Sequence, residues 1–151
     1  MMYNIVEENY LHIACNNEVY RYKEPIREGQ FMGKLAPQNE VLYHVGFAPE
    51  QLQGAKYALL PGDPGRVKAL AEALGTAEFV ACHREYTSYL ADLAGVPVLV
   101  CSTGMGGPSV AIGLEELARA GVTHFIRVGT TGSIQDNINL GDLIINDSAI
   151  R

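Results

Sequence analysis

Residues 96–132 carry the strongest fold signal in the chain and read VPVLVCSTGMGGPSVAIGLEELARAGVTHFIRVGTTG. Val96–Cys101 is an apolar run of strand length, and a glycine-rich loop separates it from a helix that begins near Pro108 and ends near Ala120. A second apolar run, Val122–Val128, leads into another loop of small residues. Strand, loop, helix and strand in this order indicate an α/β protein.

The segments on either side continue this alternation. Apolar periodicity predicts strands at Ala55–Leu60 and Tyr86–Leu93 and a helix at Arg66–Leu74. Ala94-Gly95 predicts a tight turn between the strand Tyr86–Leu93 and the strand Val96–Cys101. Leu140–Ile150 has the pattern of one more strand. Alternating strands and helices favour a layered fold with a mostly parallel sheet.

The helix after the glycine-rich loop is predicted to bury one face and to expose the other. Helical spacing assigns the buried face to Val110, Leu114, Leu117 and Ala118. Glu115 stands four residues before Arg119, a spacing that favours an ion pair on the helix surface.

Composition sets broad limits on the function. The 151 residues fit one domain, and 48% hydrophobic with 19% charged residues exclude intrinsic disorder. The formal net charge of −6 argues against a general attraction to nucleic acid or to an anionic membrane surface. Neither a signal peptide nor a membrane-spanning run is recognisable, so we expect a cytoplasmic protein. Cys15, Cys82 and Cys101 lack metal-site spacing, and each is expected to be a buried or half-buried apolar residue.

Residues 1–42 differ from the rest of the chain and are predicted to form an N-terminal extension. Glycine is scarce in this region, and a short strand or small antiparallel piece is predicted at Val19–Tyr22, followed by a polar loop.

Three loops that follow strands carry the chemistry, at residues 61–66, 102–109 and 127–132. Ligands of open α/β sheets bind outside the carboxyl ends of the strands. Glycine lets backbone N–H groups approach an anion, and a helix N-terminus adds partial positive charge. Arg66 and Arg127 bring guanidinium groups, whose paired donors match the oxygens of a phosphate. The three loops together predict a phosphate site.

Each of these signals, taken alone, also has a simpler structural interpretation. A glycine-rich loop is often only a turn, and a lone arginine at a strand end is often only a surface residue. The loop at residues 102–109 matches neither the dinucleotide fingerprint nor a Walker loop, which disfavours a nucleotide-binding oxidoreductase domain. Asp63 is expected to order its turn rather than to act as a catalytic carboxylate. Structural or surface roles are expected for His12, His83 and His124.

Four motifs stand in order along the chain, namely Leu60-Pro61-Gly62-Asp63-Pro64 with Arg66, His83-Arg84-Glu85-Tyr86-Thr87, Cys101–Ser109 and Ile126–Gly132. Together they resemble the bacterial uridine phosphorylases, a family of the nucleoside phosphorylase superfamily. The resemblance runs from about Tyr43 to Arg151 and marks residues 43–151 as the N-terminal part of a nucleoside phosphorylase domain. It implies an α/β, three-layer nucleoside phosphorylase-like fold, with a central mixed β-sheet flanked by helices and with its C-terminal half missing.

The resemblance also implies roles for individual residues. The family's phosphate-binding positions correspond to Gly62, Arg66, Arg84, Arg127 and Thr130, of which Arg84 reaches the phosphate from a neighbouring subunit. The nucleoside-binding positions correspond to His44, Thr130, Thr131 and Gly132, of which His44 matches a histidine that crosses the dimer interface to the ribose 5′-hydroxyl. Glu85 and Ser109 match positions that hold a monovalent cation in some members.

The implied activity is the reversible phosphorolysis of uridine to uracil and ribose 1-phosphate. Inorganic phosphate is the co-substrate and attacks the sugar itself, so no residue is assigned as a general acid, a general base or a nucleophile. No organic cofactor is expected. The implied partners are a small-molecule nucleoside, phosphate and further copies of the chain, with a dimer as the minimal unit and a hexamer in the family. Neither nucleic acid nor a membrane is an expected partner.

The chain differs from the family at the residues that recognise the nucleoside. The glutamine and arginine that read the uracil edge, and the methionine–glutamate segment that binds the ribose hydroxyls, have no counterpart. We therefore expect the chain to carry the phosphate-binding half and to show no turnover by itself. Two alternatives remain open, a phosphorylase of another nucleoside such as a purine and a non-catalytic fragment that binds phosphate or nucleoside.

Overall fold

The computed structural model of the chain describes residues 3–7, 10–15, 18–21 and 34–145. Contacts along the chain divide it into two units, one comprising Pro25–Gly129 and the other Met1–Glu24 with Thr130–Arg151. The predicted boundary between an extension at 1–42 and a domain at 43–151 stays a prediction. Among the helices that the described residues form, none is long and apolar enough to span a membrane.

The N-terminal residues form a small antiparallel sheet. Its strands are β1 (Tyr3–Glu7), β2 (Tyr10–Cys15) and β3 (Glu18–Arg21), and β2 lies between the other two. The strand predicted at Val19–Tyr22 is therefore confirmed as β3, one residue earlier, while Tyr22 lies outside the described residues. Sequence reasoning missed β1 and β2.

The larger unit is built on a five-stranded sheet. Its strands, in the spatial order β5-β6-β7-β4-β8, are β4 (Tyr57–Leu60), β5 (Thr76–His83), β6 (Tyr86–Leu93), β7 (Val96–Cys101) and β8 (His124–Arg127). The pairs β5–β6 and β6–β7 are antiparallel, whereas β4 pairs in parallel with both β7 and β8. The expectation of a mostly parallel sheet is therefore wrong, and the mixed sheet implied by the resemblance is confirmed.

Short turns explain the antiparallel half of the sheet. Parallel neighbours need a long crossover, but only Ala94 and Gly95 separate β6 from β7, so these strands run antiparallel. Strand β5 is absent from the sequence prediction because its residues, TAEFVACH, lack a clean alternation of apolar and polar side chains. A register irregularity between Phe79 and Ala81 in its pairing with β6 breaks the period further.

Two helices cover the sheet. Helix α1 (Val67–Leu74) follows a single 3₁₀ turn at Pro64–Arg66, and helix α2 (Gly107–Arg119) follows the glycine-rich loop. The Asp63 carboxylate accepts the Gly65 N–H at 2.8 Å at the start of that 3₁₀ turn. The predicted role of Asp63 in ordering its turn is thereby confirmed.

Apolar side chains fill both faces of the sheet. Leu99 of β7 lies in a cluster with Phe47, Leu52 and Leu117, so the segment before β4 and helix α2 cover one face. The next residue, Val100, lies in a second cluster with the α1 residues Val67 and Ala71. Successive residues of a strand point to opposite faces, so Leu99 and Val100 of β7 lie in different clusters. The structure is therefore the three-layer α/β arrangement that the resemblance implies.

Helix α2 turns its predicted face toward the core. Leu117 is buried, Leu114 packs half-buried against the core cluster, and Val110 and Ala118 are half-buried. The sequence pattern missed two further buried positions, Gly113 and Glu116. Arg119 pairs with Glu40, at 3.2 Å, rather than with Glu115. A contact distant in sequence therefore replaces the pair that local spacing suggested.

Two further sequence predictions need correction. Residues 140–145 of the strand predicted at Leu140–Ile150 are not in a strand, and residues 146–150 lie outside the described residues. Among the described residues no strand pairs with residues 140–145, and an apolar pattern alone does not make a strand without a neighbour that supplies a ladder of hydrogen bonds. Cys101 is buried as expected, but Cys82, on edge strand β5, is exposed. The side chain of Cys15 is outside the described residues.

Candidate functional site

The loops that follow β4 and β7 are joined at the carboxyl edge of the sheet. The Thr103 N–H donates to the Pro61 carbonyl, and the Gly104 N–H donates to the Gly62 carbonyl, both at 2.9 Å. These bonds continue the parallel β4–β7 pairing beyond the end of both strands. Because β4, β7 and β8 run in the same direction, the glycine loops and the end of β8 meet at one edge.

Arg127 ends β8 and lies against Gly62. Its Nη1 donates to the Leu60 carbonyl at 2.8 Å, which holds the guanidinium across the end of β4. A Cβ added to Gly62 would lie 2.8 Å from Nη2 of Arg127 and 3.2 Å from the Gly104 carbonyl oxygen. Glycine at position 62 is therefore what lets the arginine approach the loop. The structure thus brings together two of the predicted phosphate-binding residues.

Arg66 lies on the exposed side of the same loop. Its Nε is 3.9 Å from a carboxylate oxygen of Asp63, and half of its side chain is exposed. An exposed ion pair of this length contributes little to stability. The guanidinium is consequently free to exchange Asp63 for another anion at small cost.

Glu85 and Ser109 come together around Gly104. The Ser109 hydroxyl is 3.0 Å from Oε1 of Glu85 and also contacts the Thr103 carbonyl, and the Ser102 hydroxyl donates to the Glu85 carbonyl at 2.6 Å. The pKa of the Glu85 carboxyl is lowered, first by a backbone hydrogen bond at Glu85 itself and then by the bond from Ser109. The Glu85 side chain therefore stays a carboxylate, beside the neutral oxygens of the Ser109 hydroxyl and the Thr103 carbonyl.

These oxygens fit the cation that the resemblance implies. A carboxylate, a hydroxyl and a backbone carbonyl are hard oxygen donors, which suit cations that bind oxygen rather than sulfur or imidazole. One carboxylate among neutral donors balances a single positive charge. The donor set of Glu85 and Ser109 is consistent with a monovalent cation.

A second cluster lies beside the β5–β6 turn. The Arg84 guanidinium lies 5.7 Å from the centre of the Tyr43 ring, a cation–π distance, and Arg84 has a left-handed φ of 54°. The Tyr43 ring also packs edge-on against His44, with ring centres 5.0 Å apart. His83, expected to be structural, directs its Nδ1 to the His44 carbonyl at 3.0 Å. Thus Arg84 and His44 share Tyr43 as a neighbour.

Glu116 is a residue of this cluster that sequence reasoning missed. Glu116 is only 7% exposed, and its carboxylate accepts the backbone N–H groups of His44 and Val45, each at 2.9 Å. Its other oxygen lies 2.7 Å from Nδ1 of His44. Helical spacing could have indicated that Glu116 is buried, because position 116 lies on the same helix face as Gly113 and Leu117.

The remaining predicted residues belong to the other unit. Thr130, Thr131 and Gly132 are all exposed within it, and the Thr131 hydroxyl donates to the Gly132 carbonyl at 3.1 Å. Their predicted roles toward phosphate and nucleobase stay predictions.

The fold and the site define an α/β protein with a guanidinium group over a glycine loop at the carboxyl edge of its sheet. Residues 56–151 match the model of the phosphorylase superfamily. This match covers more than half of the chain, which therefore belongs to the phosphorylase superfamily.

Comparison with characterised proteins gives the same family. The chain is 49% identical over 110 residues to the uridine phosphorylase of Klebsiella aerogenes and 47% identical over 124 residues to that of Thermococcus kodakarensis. It is also 44% identical over 94 residues to the guanosine phosphorylase of Halorubrum lacusprofundi. These matches cover 73%, 81% and 62% of this chain but 44%, 44% and 39% of the three relatives. The chain thus spans less than half the length of these proteins.

Proposed function

We propose that this chain carries the phosphate-binding part of a nucleoside phosphorylase that cleaves uridine. The observation that carries the proposal is the position of the Arg127 guanidinium against Gly62, between the ends of parallel strands. One donor of Arg127 is engaged by the Leu60 carbonyl, and a guanidinium has five, so donors remain for a phosphate. The uridine phosphorylases among its relatives support this choice of substrate.

The reaction asks little covalent chemistry of the protein. A phosphate oxygen forms a bond to ribose C1′ as the bond from C1′ to the base breaks, and the bonding electrons leave with the base, which takes up a proton. The transition state has oxocarbenium character, as in glycoside hydrolysis. The protein therefore contributes by holding the phosphate close to C1′ and by stabilising charge.

Arg127 and the Gly62 loop form the centre of the proposed phosphate site. Arg66 supplies a second guanidinium from the same loop, and Arg84 supplies a third from a neighbouring copy of the chain. The resemblance assigns a further neutral donor, the Thr130 hydroxyl. In the proposed homo-oligomer, whose smallest form is a dimer, Glu85 and Ser109 hold a monovalent cation beside this site.

His44, Thr130, Thr131 and Gly132 are the proposed nucleoside contacts. His44 is 34% exposed, so its ring is accessible to a ribose hydroxyl. A second candidate substrate is guanosine, because the guanosine phosphorylase of Halorubrum lacusprofundi matches 94 residues of the chain. A non-catalytic role in binding phosphate or nucleoside is the remaining alternative.

Phosphate binding by the 151-residue chain tests the proposal directly. Isothermal titration calorimetry is expected to show that Arg127→Ala weakens phosphate binding by about tenfold or more, because a charged hydrogen bond contributes roughly 1.5–3 kcal/mol. Arg119→Gln is the matched control, since Arg119 pairs with Glu40 and carries the same charge. An equal loss in both variants, or no loss in either, would contradict the proposed site.

Nucleoside binding separates the candidate substrates. Titrations with uridine and with guanosine in saturating phosphate compare the two nucleosides at the residues that this chain supplies, and a preference for uridine would support the proposed substrate. A preference for guanosine would transfer the proposal to a purine nucleoside, and phosphate binding without any nucleoside binding would favour the non-catalytic alternative.

A further inference from the structure

Glu116 holds His44 in one orientation from the buried side. One carboxylate oxygen accepts both backbone N–H groups at 2.9 Å, from His44 and Val45, while the other lies 2.7 Å from Nδ1 of the His44 ring. Backbone and side chain of the same histidine are thus bound by one carboxyl group. Glu116 is anchored on helix α2 among buried residues, so the group has little freedom to move.

Neighbouring side chains fix His44 from other directions. Nδ1 of His83 donates to the His44 carbonyl at 3.0 Å, and Tyr43 packs edge-on against the His44 ring. A carbonyl can only accept, so the proton of neutral His83 must lie on Nδ1. Glu116 and His83, from two other elements, therefore hold the segment that carries His44, although the His44 side chain remains 34% exposed.

The contact with Glu116 also decides where the proton of the His44 ring lies. A carboxylate is an acceptor, so the ring nitrogen facing it must carry the hydrogen. In the neutral imidazole the other nitrogen, Nε2, then has no proton and can only accept. The choice of tautomer at His44 is made by a side chain 72 positions away in sequence.

We propose that Glu116 is a positioning residue, which fixes the Nδ1–H tautomer of His44 so that Nε2 serves as an acceptor for a hydroxyl group of the substrate. The link to a substrate hydroxyl rests on the proposed function, in which His44 contacts the ribose. The effect on the tautomer does not rest on it, because it follows from the geometry of the free chain. A hydroxyl bound by Nε2 acts as a donor, so this position discriminates against groups that can only accept.

The tautomer can be read in the free chain by nuclear magnetic resonance. Long-range ¹H–¹⁵N correlation spectra, recorded at the alkaline plateau of the histidine titration, distinguish Nδ1–H from Nε2–H. The expected result for His44 is Nδ1–H. Observation of Nε2–H in the unmodified chain would overturn the proposal without the need for any variant.

Glu116→Gln tests the role of the carboxylate, because it keeps the shape of the side chain and replaces one carboxylate oxygen by an NH₂ group. The amide oxygen can still accept the N–H groups of His44 and Val45, which leaves the amide NH₂ facing Nδ1 of His44. Because the NH₂ group donates, the His44 ring is expected to change to the Nε2–H tautomer. Glu115→Gln changes the neighbouring exposed glutamate in the same way and is expected to leave the tautomer unchanged. An unchanged tautomer in folded Glu116→Gln would contradict the proposal.

A ligand pair then tests the consequence for recognition. In 5′-O-methyluridine the hydroxyl becomes an acceptor only, so the chain is expected to bind uridine in preference to it. In Glu116→Gln the ratio of the two affinities is expected to fall by about threefold to tenfold, the equivalent of one hydrogen bond, while phosphate affinity stays the same. The steric effect of the methyl group is common to both proteins and cancels in this comparison. An unchanged ratio would refute the recognition role, whereas absence of nucleoside binding in both proteins would refute the proposed function and leave the tautomer result standing.

Discussion

Gly104 offers the sharpest test of how the glycine-rich loop is built. It has a left-handed φ of +67°, and a Cβ added there would lie 2.9 Å from Cβ of Glu85 and 3.1 Å from Oγ of Ser109. Gly104→Ala therefore combines a backbone conformation that L-residues disfavour with a steric clash. The clash involves the Cβ of Glu85, which is fixed to the β5–β6 turn and cannot swing aside as the end of a long side chain could.

The expected cost has two parts. A left-handed conformation costs an alanine roughly 1–2 kcal/mol, and overpacking in a closely packed site costs typically about 1–3 kcal/mol. Gly104→Ala is therefore expected to lower the free energy of unfolding by about 2–5 kcal/mol. Because the Gly104 N–H bonds the Gly62 carbonyl, the shifted loop should also weaken phosphate binding.

Two control variants separate these contributions. Gly95→Ala has a positive φ of +86° but no atom within 4 Å of the new Cβ, so only the conformational cost is expected. Gly107→Ala has neither a positive φ nor a close neighbour and should be nearly neutral. Urea unfolding of all three variants gives the comparison. A cost for Gly104→Ala no larger than that for Gly95→Ala would refute the packing argument, and one no larger than that for Gly107→Ala would refute the conformational argument as well.

Two further predictions concern titration and cation binding. Burial raises the pKa of the Cys101 thiol from 9.0 to about 11. The contribution of this group to the free energy of unfolding is therefore complete below about pH 9. It is lost by roughly 1.4 kcal/mol per pH unit as the pH rises toward 11. Urea unfolding between about pH 8 and pH 11 should show this slope in the unmodified chain and a shallower one in Cys101→Ala; identical slopes would exclude the thiol as its source. If Glu85 and Ser109 bind a cation, potassium chloride should raise the melting temperature more than choline chloride does at equal ionic strength. Glu85→Gln should remove this difference, whereas Glu78→Gln, the exposed control, should keep it. Equal effects of the two salts on the unmodified chain would count against a cation at Glu85 and Ser109.

Local pattern predicted those elements that have a strong period or clear punctuation. Helices α1 and α2 and strands β6 and β7 lie where apolar spacing and glycine placed them, because their signals come from residues close in sequence. Strand β5 escaped prediction because it is an edge strand with mixed residues on both faces. The strand expected at Leu140–Ile150 failed in its described part for the opposite reason, since an apolar pattern was present without a pairing partner.

The candidate site also has parts that the sequence predicts and parts that only the fold creates. Glycine-rich loops at strand ends are local features, so the phosphate hypothesis and the resemblance to nucleoside phosphorylases could both be drawn from the sequence. The contact between Arg127 and Gly62 could not be drawn from it, because Arg127 ends β8 and Gly62 follows β4, and only the fold makes these two strands neighbours. Glu116 was missed because a glutamate within a helical pattern normally indicates a solvated face.

The sequence alone determined the family, the α/β class and the residue types that could meet a phosphate. These depend on motifs and periods a few residues long, where neighbours in the chain are also neighbours in space. The tertiary structure decided that Arg127 covers Gly62, that Arg119 pairs with Glu40, and that a buried carboxylate from helix α2 holds His44. Burial makes the last of these specific, since a carboxylate removed from water must find its donors within the fold, and only the folded chain brings the two His44 N–H groups and that of Val45 to it.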